Sequence, residues 1–307
     1  GQTFTYNGIV NAEDVSDVIA NIAPMDTPFL SALKKVKASS TKHEFITDDL
    51  TAAGSNAQLE SDTFAAGARP VPVRLSNRTQ ISSKVVAVSR SQQASNPHGI
   101  KSMLAYNMAA VSKEIKRDTE FGLTQNSTSN AGSTTVARQS RGLEGWIQTN
   151  CDAHAGYVAG SYLTDPGTAA TDGTQRAFTE TLLKTALQAA YTSGGSPELI
   201  MVSPAAKQTF STFGGNATRF KEADQTLSAS ISIYVSDFGT LRVVPSRFSR
   251  PRSVFILDMD YWALAELTAP SMQDLPNTFD GVGKVLVTEY CLEAKQEKAS
   301  AIIRDIL

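Results

Sequence analysis

The sequence predicts an α+β fold in which extended segments alternate with compact ones. Three observations support this prediction. Residues 69–90 alternate with a period of two, residues 97–125 have the periodicity of one very long helix, and residues 177–265 alternate between short helical and strand-like segments. An amphipathic arm precedes these segments, and return strands follow them.

Residues 1–40 predict an amino-terminal arm that contains two short helices. Val15, Val18 and Ile22 lie at helical spacing, and residues 26–28 (Asp-Thr-Pro) form a helix cap with proline at the first helical position. A polar stretch then separates the arm from the rest of the chain. The apolar face of the arm is compatible with packing on a neighbouring copy or on the chain's own body.

Residues 41–94 predict an extended loop, a long β-hairpin that projects from the body. Its first part, 43–47, is extended, and residues 51–67 are rich in Ala, Ser, Thr, Asn and Gly, which predicts a mobile loop. The apolar parity shifts near Ser82, which indicates a bulge or a strong twist. Prolines 70 and 72 favour an edge strand.

The strongest predicted helix runs from Pro97 to Gln125. At 1.5 Å per residue it would be about 40–45 Å long, and a helix of that length needs an extended partner surface. The Ser-, Thr- and Asn-rich residues 126–140 predict a loop, and residues 141–147 lead into a short strand.

The remainder of the chain predicts a compact α/β unit with return strands. The predicted elements are helices over 179–193 and 204–213, buried strands over 198–202 and 253–258, a hairpin over 231–245, a helix over 261–267 that Asp260 caps, and one or two strands over 283–306.

The composition excludes several classes of protein. With 41% hydrophobic and 19% charged residues the chain is not intrinsically disordered, and no stretch reaches the ~18–20 apolar residues that span a bilayer. The three histidines are scattered, and Cys151 and Cys291 lack a zinc-ligand spacing. We therefore predict two inert buried thiols, no metal or other cofactor, no membrane partner, and a soluble protein of a reducing compartment.

Charge is distributed unevenly along the chain. The net charge is −2, but residues 1–65 carry −5, residues 66–145 carry +7 and residues 146–307 carry −4. A solvated cationic face, a nucleic-acid strip and docking on the acidic amino terminus of another copy all fit this asymmetry. The segment 69–90 lacks aromatic residues on which bases could stack, which favours docking over nucleic-acid binding.

No catalytic motif emerges, so we predict that the protein is not an enzyme. The sequence has no nucleophile elbow and no dinucleotide-binding glycine fingerprint, and residues 281–284 lack the flanking residues of a phosphate-binding loop. Asp258 and Asp260 form a carboxylate pair at a strand end, but a helix cap explains Asp260 more simply. Glu114 and Asp118 lie one helical turn apart among cations, as in surface ion pairs.

Five short segments have a characteristic order and spacing over most of the chain. They are Asp-Thr-Pro-Phe-Leu-Ser at 26–31, Lys-Glu-Ile-Lys-Arg-Asp at 113–118, Arg-Gly-Leu-Glu-Gly-Trp-Ile at 141–147, Ser-Asp-Phe-Gly at 236–239, and Leu-Asp at 257–258 with Tyr-Trp-Ala-Leu at 261–264. In these segments the chain resembles the major capsid proteins of tailed bacteriophages, whose fold herpesvirus capsids and encapsulin shells share.

The resemblance implies a viral structural protein that self-assembles. Its parts would be an N-terminal arm at 1–40, an extended loop at 41–94 over a neighbouring subunit, a peripheral domain at 95–176 and 266–307 with spine helix 97–125, and an axial domain at 177–265. Pentamers and hexamers would form an icosahedral head in the host cytoplasm and enclose double-stranded DNA without sequence-specific binding. Portal, scaffold or protease, and decoration proteins are further implied partners. Gly1 without a preceding methionine fits either maturation cleavage or a trimmed chain.

Charge complementarity between copies gives the candidate inter-subunit contacts. They are Arg69, Arg74, Arg78, Lys84 and Arg90 on the loop, with Glu13, Asp14 and Asp17 on the arm as acceptors. Two alternatives remain open at this point: an encapsulin-type shell protein, and an α/β enzyme that uses residues 180–260.

Overall fold

The computed structural model describes residues 26–58, 60–61, 67, 69–95, 102–213, 233–276 and 280–307. The first predicted arm helix, the start of the predicted long helix and the contact candidates Glu13, Asp14 and Asp17 lie outside these ranges. Within them, the strands form a six-stranded, a four-stranded and a two-stranded sheet.

The six-stranded sheet forms the centre of the α/β unit. In spatial order its strands are β5 (Cys151–Asp152), β12 (Ala301–Ile303), β9 (Val254–Leu257), β6 (Leu199–Val202), β8 (Gly239–Pro245) and β7 (Ile233–Ser236). Every residue of β6 and β9 is buried, as expected for strands covered on both faces. Helices α5 (Glu180–Thr192) and α6 (Pro204–Ser211) add Leu183, Leu187 and Phe210 to this core.

The four-stranded sheet packs against the long helix. Its spatial order is β1 (Lys34–Lys37), β10 (Trp262–Asp274), β11 (Gly281–Ala294) and β4 (Gln80–Ser89), and only the β1–β10 pair is parallel. The long helix, α3 (Met103–Thr124), contacts β4 and β11. Val86 and Val88 of β4 are buried, whereas Ile81 and Val85 on the opposite face are more than half exposed. One face of the sheet is therefore covered, and part of the other face is apolar and open.

The two-stranded sheet is the hairpin of β2 (Lys42–Thr47) and β3 (Val73–Arg78). The described residues between these strands contain neither helix nor strand. The bulge predicted near Ser82 is wrong, because β4 pairs with β11 in unbroken register there. The burial parity changes instead at Thr79, between β3 and β4, where the Thr79 amide donates to the Thr41 carbonyl at 2.9 Å. The hairpin therefore ends at residue 78, and β4 pairs with β11 of the four-stranded sheet.

The described residues also form three short α-helices, which are α1 (Pro28–Ala32), α2 (Arg90–Ala94) and α4 (Leu143–Trp146), and two 3-10 turns at Met259–Tyr261 and Glu297–Ala299. The largest core cluster lies where α1, α4 and both large sheets meet, and it includes Phe29, Trp146, Phe255 and Trp262. This core joins the arm to the sheets.

Most of the predicted local structure is confirmed. Helices α5 and α6, strands β6 and β9 and the β7–β8 hairpin fall on the predicted segments. The long helix is confirmed from Met103 to Thr124, but its predicted start at Pro97 is wrong, because Ser102 is extended and caps the helix. Ser203 is the N-cap of α6, because its hydroxyl accepts a hydrogen bond from the Ala206 amide at 3.2 Å.

Two further local predictions are wrong, and one strand was missed. Residues 261–267 are not helical, because the apolar run from Trp262 pairs with β11 as the start of β10. Asp260 caps no helix: Asp258 accepts the Asp260 amide at 3.2 Å in a short 3-10 turn, and Asp260 pairs instead with Lys34 at 2.6 Å. The polar stretch after Leu33 contains the unpredicted strand β1, which pairs with β10.

Candidate assembly surfaces

The arm is attached to the long helix by Glu120. This side chain is fully buried on α3, and its two carboxylate oxygens accept the backbone amides of Phe29 at 3.0 Å and Leu30 at 2.7 Å. Burial raises the pKa of the Glu120 carboxyl, although the two amide hydrogen bonds oppose the rise. Sequence reasoning missed this contact, because the residues that meet are 90 positions apart.

The five predicted basic contact residues on the loop each have an acidic partner within the chain. The shortest distances in these pairs are 2.8 Å for Arg69–Asp48, 3.6 Å for Arg74–Glu44, 2.6 Å for Arg78–Asp165, 2.9 Å for Lys84–Asp118 and 3.0 Å for Arg90–Asp280. The intrachain pairs do not test the predicted contacts between copies, which stay predictions.

These five cations differ in how open they are. The side chains of Arg69, Arg74 and Arg90 are at least 70% exposed, whereas Arg78 is largely buried. Burial opposes ionisation of Asp165, but hydrogen bonds from Arg78 and Ser129 outweigh burial and lower its pKa. Arg78 therefore ties β3 to the loop around Asp165, while the other arginines remain accessible to a partner.

Lys84 connects the loop to the long helix. It lies 2.9 Å from Asp118 and 3.6 Å from Glu114, and the hydrogen bond to Asp118 is the main cause of its raised pKa. The ion pairing predicted for the two acids is confirmed, but their partner comes from β4 rather than from the neighbouring cations on the helix.

Exposed apolar side chains cluster where the hairpin meets its connecting segment. Leu50 is 85% exposed, Val71 81% and Ile46 67%, and Val73 is also exposed. Strands β2 and β3 pair as far as Thr47 and Val73, so Leu50 and Val71 lie just beyond the paired end. Several apolar groups left in water near one end of the hairpin are typical of a surface that another protein covers.

A buried ionic network, which the sequence analysis also missed, joins α4 to the six-stranded sheet. Glu144 on α4 contacts Arg250 at 2.8 Å and Arg304 at 3.3 Å, and it accepts the Ser253 hydroxyl. Asp172 and Asp305 pair with Arg250 and Arg252, so three carboxylates meet three guanidinium groups. Opposite charges balance in this network, as buried charges require.

Arg141 fixes the loop at residues 162–166. Its guanidinium donates to the carbonyls of Tyr162 and Pro166 at 2.7 Å each and lies 4.7 Å from the centre of the Trp146 ring. Burial lowers the pKa of Arg141 to about 10. The segment 141–147 thus supplies an anchor for the core, rather than a surface group.

The described residues offer little that resembles a catalytic or metal centre. They include no group of three or more His, Cys, Asp or Glu placed to hold a metal ion. Among the described helices, none is long and apolar enough to cross a bilayer. Cys291 is buried and Cys151 is half-buried, and burial raises the pKa of the Cys151 thiol and raises that of Cys291 to about 12.

Both thiols are expected to resist alkylation in the native protein. At pH 8 the thiolate population of Cys291 is very small and its sulfur is inaccessible, so iodoacetamide should label it only after unfolding. Mass spectrometry of native and urea-unfolded samples measures this difference. Equal labelling rates at Cys291 in the two samples would contradict the described burial.

The architecture is that of a capsid shell protein of the tailed-phage type, with arm, hairpin, long helix and α/β unit in one chain. The fold matches a chain of the cyanophage A-1(L) capsid with a TM-score of 0.70 at 14% identity, over 98% of each chain. It matches a capsid chain of the native GTA particle with a TM-score of 0.66 at 12% identity, over 99% of this chain and 98% of the other.

The chain belongs to the SU10 major capsid protein family, whose model matches residues 1–307. It is 27% identical to the major capsid protein of Escherichia phage Phieco32, over 93% of this chain and 91% of that protein. The predicted fold class and the predicted role as a phage major capsid protein are confirmed. The protein is a structural component of a virion capsid.

Proposed function

We propose that this capsid protein forms pentamers and hexamers that close into an icosahedral head around double-stranded DNA, assembled in the host cytoplasm. In this proposal the chain divides as predicted, with arm 1–40, loop 41–94, peripheral domain 95–176 and 266–307, and axial domain 177–265. Capsomers form through the axial domains, and the loops interlock neighbouring subunits. A closed shell repeats each contact many times, so individual contacts can be weak.

The exposed apolar cluster at the end of the hairpin carries this proposal. Leu50 and Val71 gain nothing from the folded chain while they face water, and burying an aliphatic side chain contributes about 1.5–3 kcal/mol. A neighbouring subunit that covers the cluster therefore gains affinity from residues that do not stabilise the monomer. The open face of the four-stranded sheet around Ile81 and Val85 is a second apolar surface of this kind.

The axial domain offers a further surface. Strand β7 is an edge of the six-stranded sheet, and beside it Tyr191 and Phe238 stack with ring centres 4.8 Å apart. Both rings remain substantially exposed. Aromatic side chains of this kind are typical anchors of protein interfaces, which supports a contact between axial domains of neighbouring copies.

The test is sedimentation velocity of the purified chain, with negative-stain images of the fastest fraction. Shells, pentamers or hexamers support the proposal. A Leu50→Ser/Val71→Ser variant should retain the monomer's stability and lose assembly, whereas Thr51→Ser on the same exposed segment serves as a control and should assemble normally. A monomer that persists at high concentration would contradict association through the chain's own interfaces.

Charge on the loop is expected to control how fast and at what salt concentration assembly occurs. Reversing Arg69, Arg74 and Arg90 to Glu should slow shell formation and change its salt dependence, because exposed charges act mainly on encounter and orientation. Light scattering at low and high ionic strength measures the rate. If the triple variant assembles at the same rate as the wild type at both low and high ionic strength, the predicted charge contacts are wrong.

The remaining partners follow from the family likeness. We propose portal, scaffold or protease, and decoration proteins as partners, and DNA enclosed without sequence-specific contacts. The loop segment 69–90 contains no aromatic residue for base stacking, which supports the last point.

A further inference from the structure

The outer side of the long helix carries cations that have no acidic partner among the described residues. Lys113 and Arg117 lie four residues apart on α3, on the side opposite the buried Ile115. Lys113 is exposed and Arg117 is half-buried, and neither forms an ion pair within the part of the chain that the structure describes. The five loop cations, by contrast, all have acidic partners. Positive charge on this side of α3 is therefore left unneutralised by the described residues.

The acids that follow these two cations lie at the edge of the same surface. Glu114 and Asp118 are each one residue further along α3, so they are turned by about 100° around the helix axis. There Lys84 of β4 lies 3.6 Å from Glu114 and 2.9 Å from Asp118. Lys116 lies at the other edge, where it borders a cleft beside α1. The outer side of α3 is thus flanked by partly neutralised acids on one edge and by a further cation on the other.

The loop that follows β8 extends this surface past the end of the helix. Thr124 lies two turns after Arg117 on the same side of α3, and its hydroxyl donates to the Phe248 carbonyl at 3.2 Å. Arg247, the residue before Phe248, is exposed and forms no ion pair with a described residue. From Lys113 to Thr124 the helix rises by about 16 Å. We call Lys113, Arg117 and Arg247 the basic face.

The spacing within the basic face suits a row of phosphates. Side chains one helical turn apart are ~5–6 Å apart at their Cβ atoms, and each strand of duplex DNA carries one charge per ~3.4 Å of helix axis. Lys113 and Arg117 can therefore reach phosphates of one strand, and the planar Arg117 guanidinium can bind two phosphate oxygens at once. Tyr106, two turns before Lys113 on the same side, is exposed, and tyrosine hydroxyls also donate to phosphates. The helix thus offers several donors along one line.

The charge of the whole chain makes the position of these cations informative. The net charge is −2, so the surface as a whole does not attract a polyanion. Attraction to DNA requires a place where cations outnumber the acids beside them, and the exposed cations of the loop each have an acid beside them. The basic face meets this requirement, because its three members have no acidic partner in the described part of the chain.

We propose that the basic face binds the phosphate backbone of duplex DNA, with Lys116 as a further contact at its edge. This inference rests on the proposed function, because a shell that encloses duplex DNA holds it at high concentration beside its own subunits. It deepens that function by naming a surface that the DNA touches. Contacts to phosphates carry no sequence information, which agrees with enclosure without sequence-specific binding.

Fluorescence anisotropy with a short labelled duplex and the unassembled chain measures this binding. Each phosphate contact contributes about −0.9 to the slope of log affinity against log salt concentration, so three contacts should weaken binding ~40-fold when the salt concentration rises fourfold. Duplexes of unrelated sequence should bind with equal affinity. Absence of binding at low salt, or an affinity that salt does not change, would overturn the proposal.

Removing the three charges of the basic face should make binding weaker and less dependent on salt. In Lys113→Gln/Arg117→Gln/Arg247→Gln the slope should become less steep by ~2.7, and binding at low salt should weaken at least ~10-fold. The control is an equal loss of charge at three other exposed cations without an ion pair to a described residue, which are Lys37, Arg242 and Lys295. Lys37→Gln/Arg242→Gln/Lys295→Gln should bind the duplex as the wild type does. Equal losses of affinity in the two variants would mean a diffuse effect of charge and would overturn the proposal.

Acetylation of the wild-type chain locates the bound duplex without any substitution. Saturating duplex should slow the acetylation of Lys113 and Lys116 several-fold and leave that of Lys37 and Lys295 unchanged. Mass spectrometry of the digested chain measures the four rates. Equal rates with and without duplex at Lys113 and Lys116 would overturn the proposal.

A neighbouring copy of the chain is the competing occupant of the basic face. Phe121, one turn after Arg117, is 54% exposed and would be the anchor of a protein contact. Because phosphates offer the ring no partner, Phe121→Ala should keep the duplex affinity of the wild type, and a loss as large as that of the basic-face variant would overturn the proposal.

The two occupants also differ in their effect on assembly. If the basic-face variant lost assembly but kept the duplex affinity of the wild type, the face would be an interface between copies, and the proposal would be overturned. Duplex binding is measured on the unassembled chain and assembly by sedimentation velocity. A failure of the proposed shell and a failure of DNA binding therefore give different results.

Discussion

Replacing Glu144 with alanine is expected to lower the free energy of unfolding by about 3–5 kcal/mol, the range for breaking a buried ion pair from one side. Glu144 is fully buried and contacts both Arg250 and Arg304, and Arg304 is itself fully buried. Without the carboxylate, Arg304 keeps its hydrogen bond to the Glu144 carbonyl and its contact with the Tyr157 ring, but it loses its compensating charge. Urea unfolding of the unassembled chain measures the loss.

A matched control distinguishes this loss from a general effect of removing an acid. Glu198 is exposed, and Glu198→Ala should change the free energy of unfolding by no more than ~0.5 kcal/mol. Glu144→Gln keeps the shape of the side chain but removes its charge. The loss of unfolding free energy in this variant should lie between the losses in Glu144→Ala and Glu198→Ala. If Glu144→Ala and Glu198→Ala had the same free energy of unfolding, the ionic network would not stabilise the packing of α4 on the six-stranded sheet.

Replacing Glu120 with alanine is expected to detach α1 from the long helix and to cost about 2 kcal/mol. The amides of Phe29 and Leu30 would lose their acceptors, and Phe29 itself is fully buried, so water cannot replace the carboxylate without disturbing the core. Hydrogen exchange at these two amides reports the detachment. Thr27→Ala is the control: Thr27 is the half-buried N-cap of the same helix, its side chain makes no capping hydrogen bond, and its loss should leave both amides protected.

The same carboxylate gives a pH dependence whose sign follows from its raised pKa. Glu120 ionises with an ordinary pKa of 4.5 in the unfolded chain and at a higher pH in the folded one. The pH-dependent part of its contribution to stability is therefore complete below pH 4.5 and is lost as the pH rises through the folded pKa, while its two hydrogen bonds to the amides of α1 contribute separately. The difference in unfolding free energy between the wild type and Glu120→Gln should be more favourable to the wild type at pH 4 than at pH 7. The opposite slope would contradict a raised pKa.

The sequence predicted the elements whose signals are local. The periodicity of α3 and α5, the Ser203-Pro204 start of α6 and the turn of the β7–β8 hairpin are all encoded within a few residues. The order of short motifs along the chain was sufficient for the correct family. Each of these features can be predicted from one sequence, because it depends only on residues that are close to it along the chain.

What the sequence did not predict depends on partners far along the chain. The apolar segment that begins at Trp262 is compatible with either a helix or a buried strand. It forms a strand because it pairs with β11, which lies later in the chain. Glu144 meets Arg250 across 106 positions, and Glu120 meets the amides of α1 across about 90. No local pattern marks such pairs. The charge asymmetry was real, but it did not show that the loop cations already have intrachain partners.

The position of β12 in the six-stranded sheet has a consequence for synthesis in the infected cell. This strand lies between β5 and β9, and β11 likewise lies between β10 and β4. Neither sheet can be completed until residues 281–303 have left the ribosome, although the hairpin that carries the apolar cluster is made much earlier. Completion of both sheets therefore waits for β11 and β12, whatever the order in which the earlier elements fold.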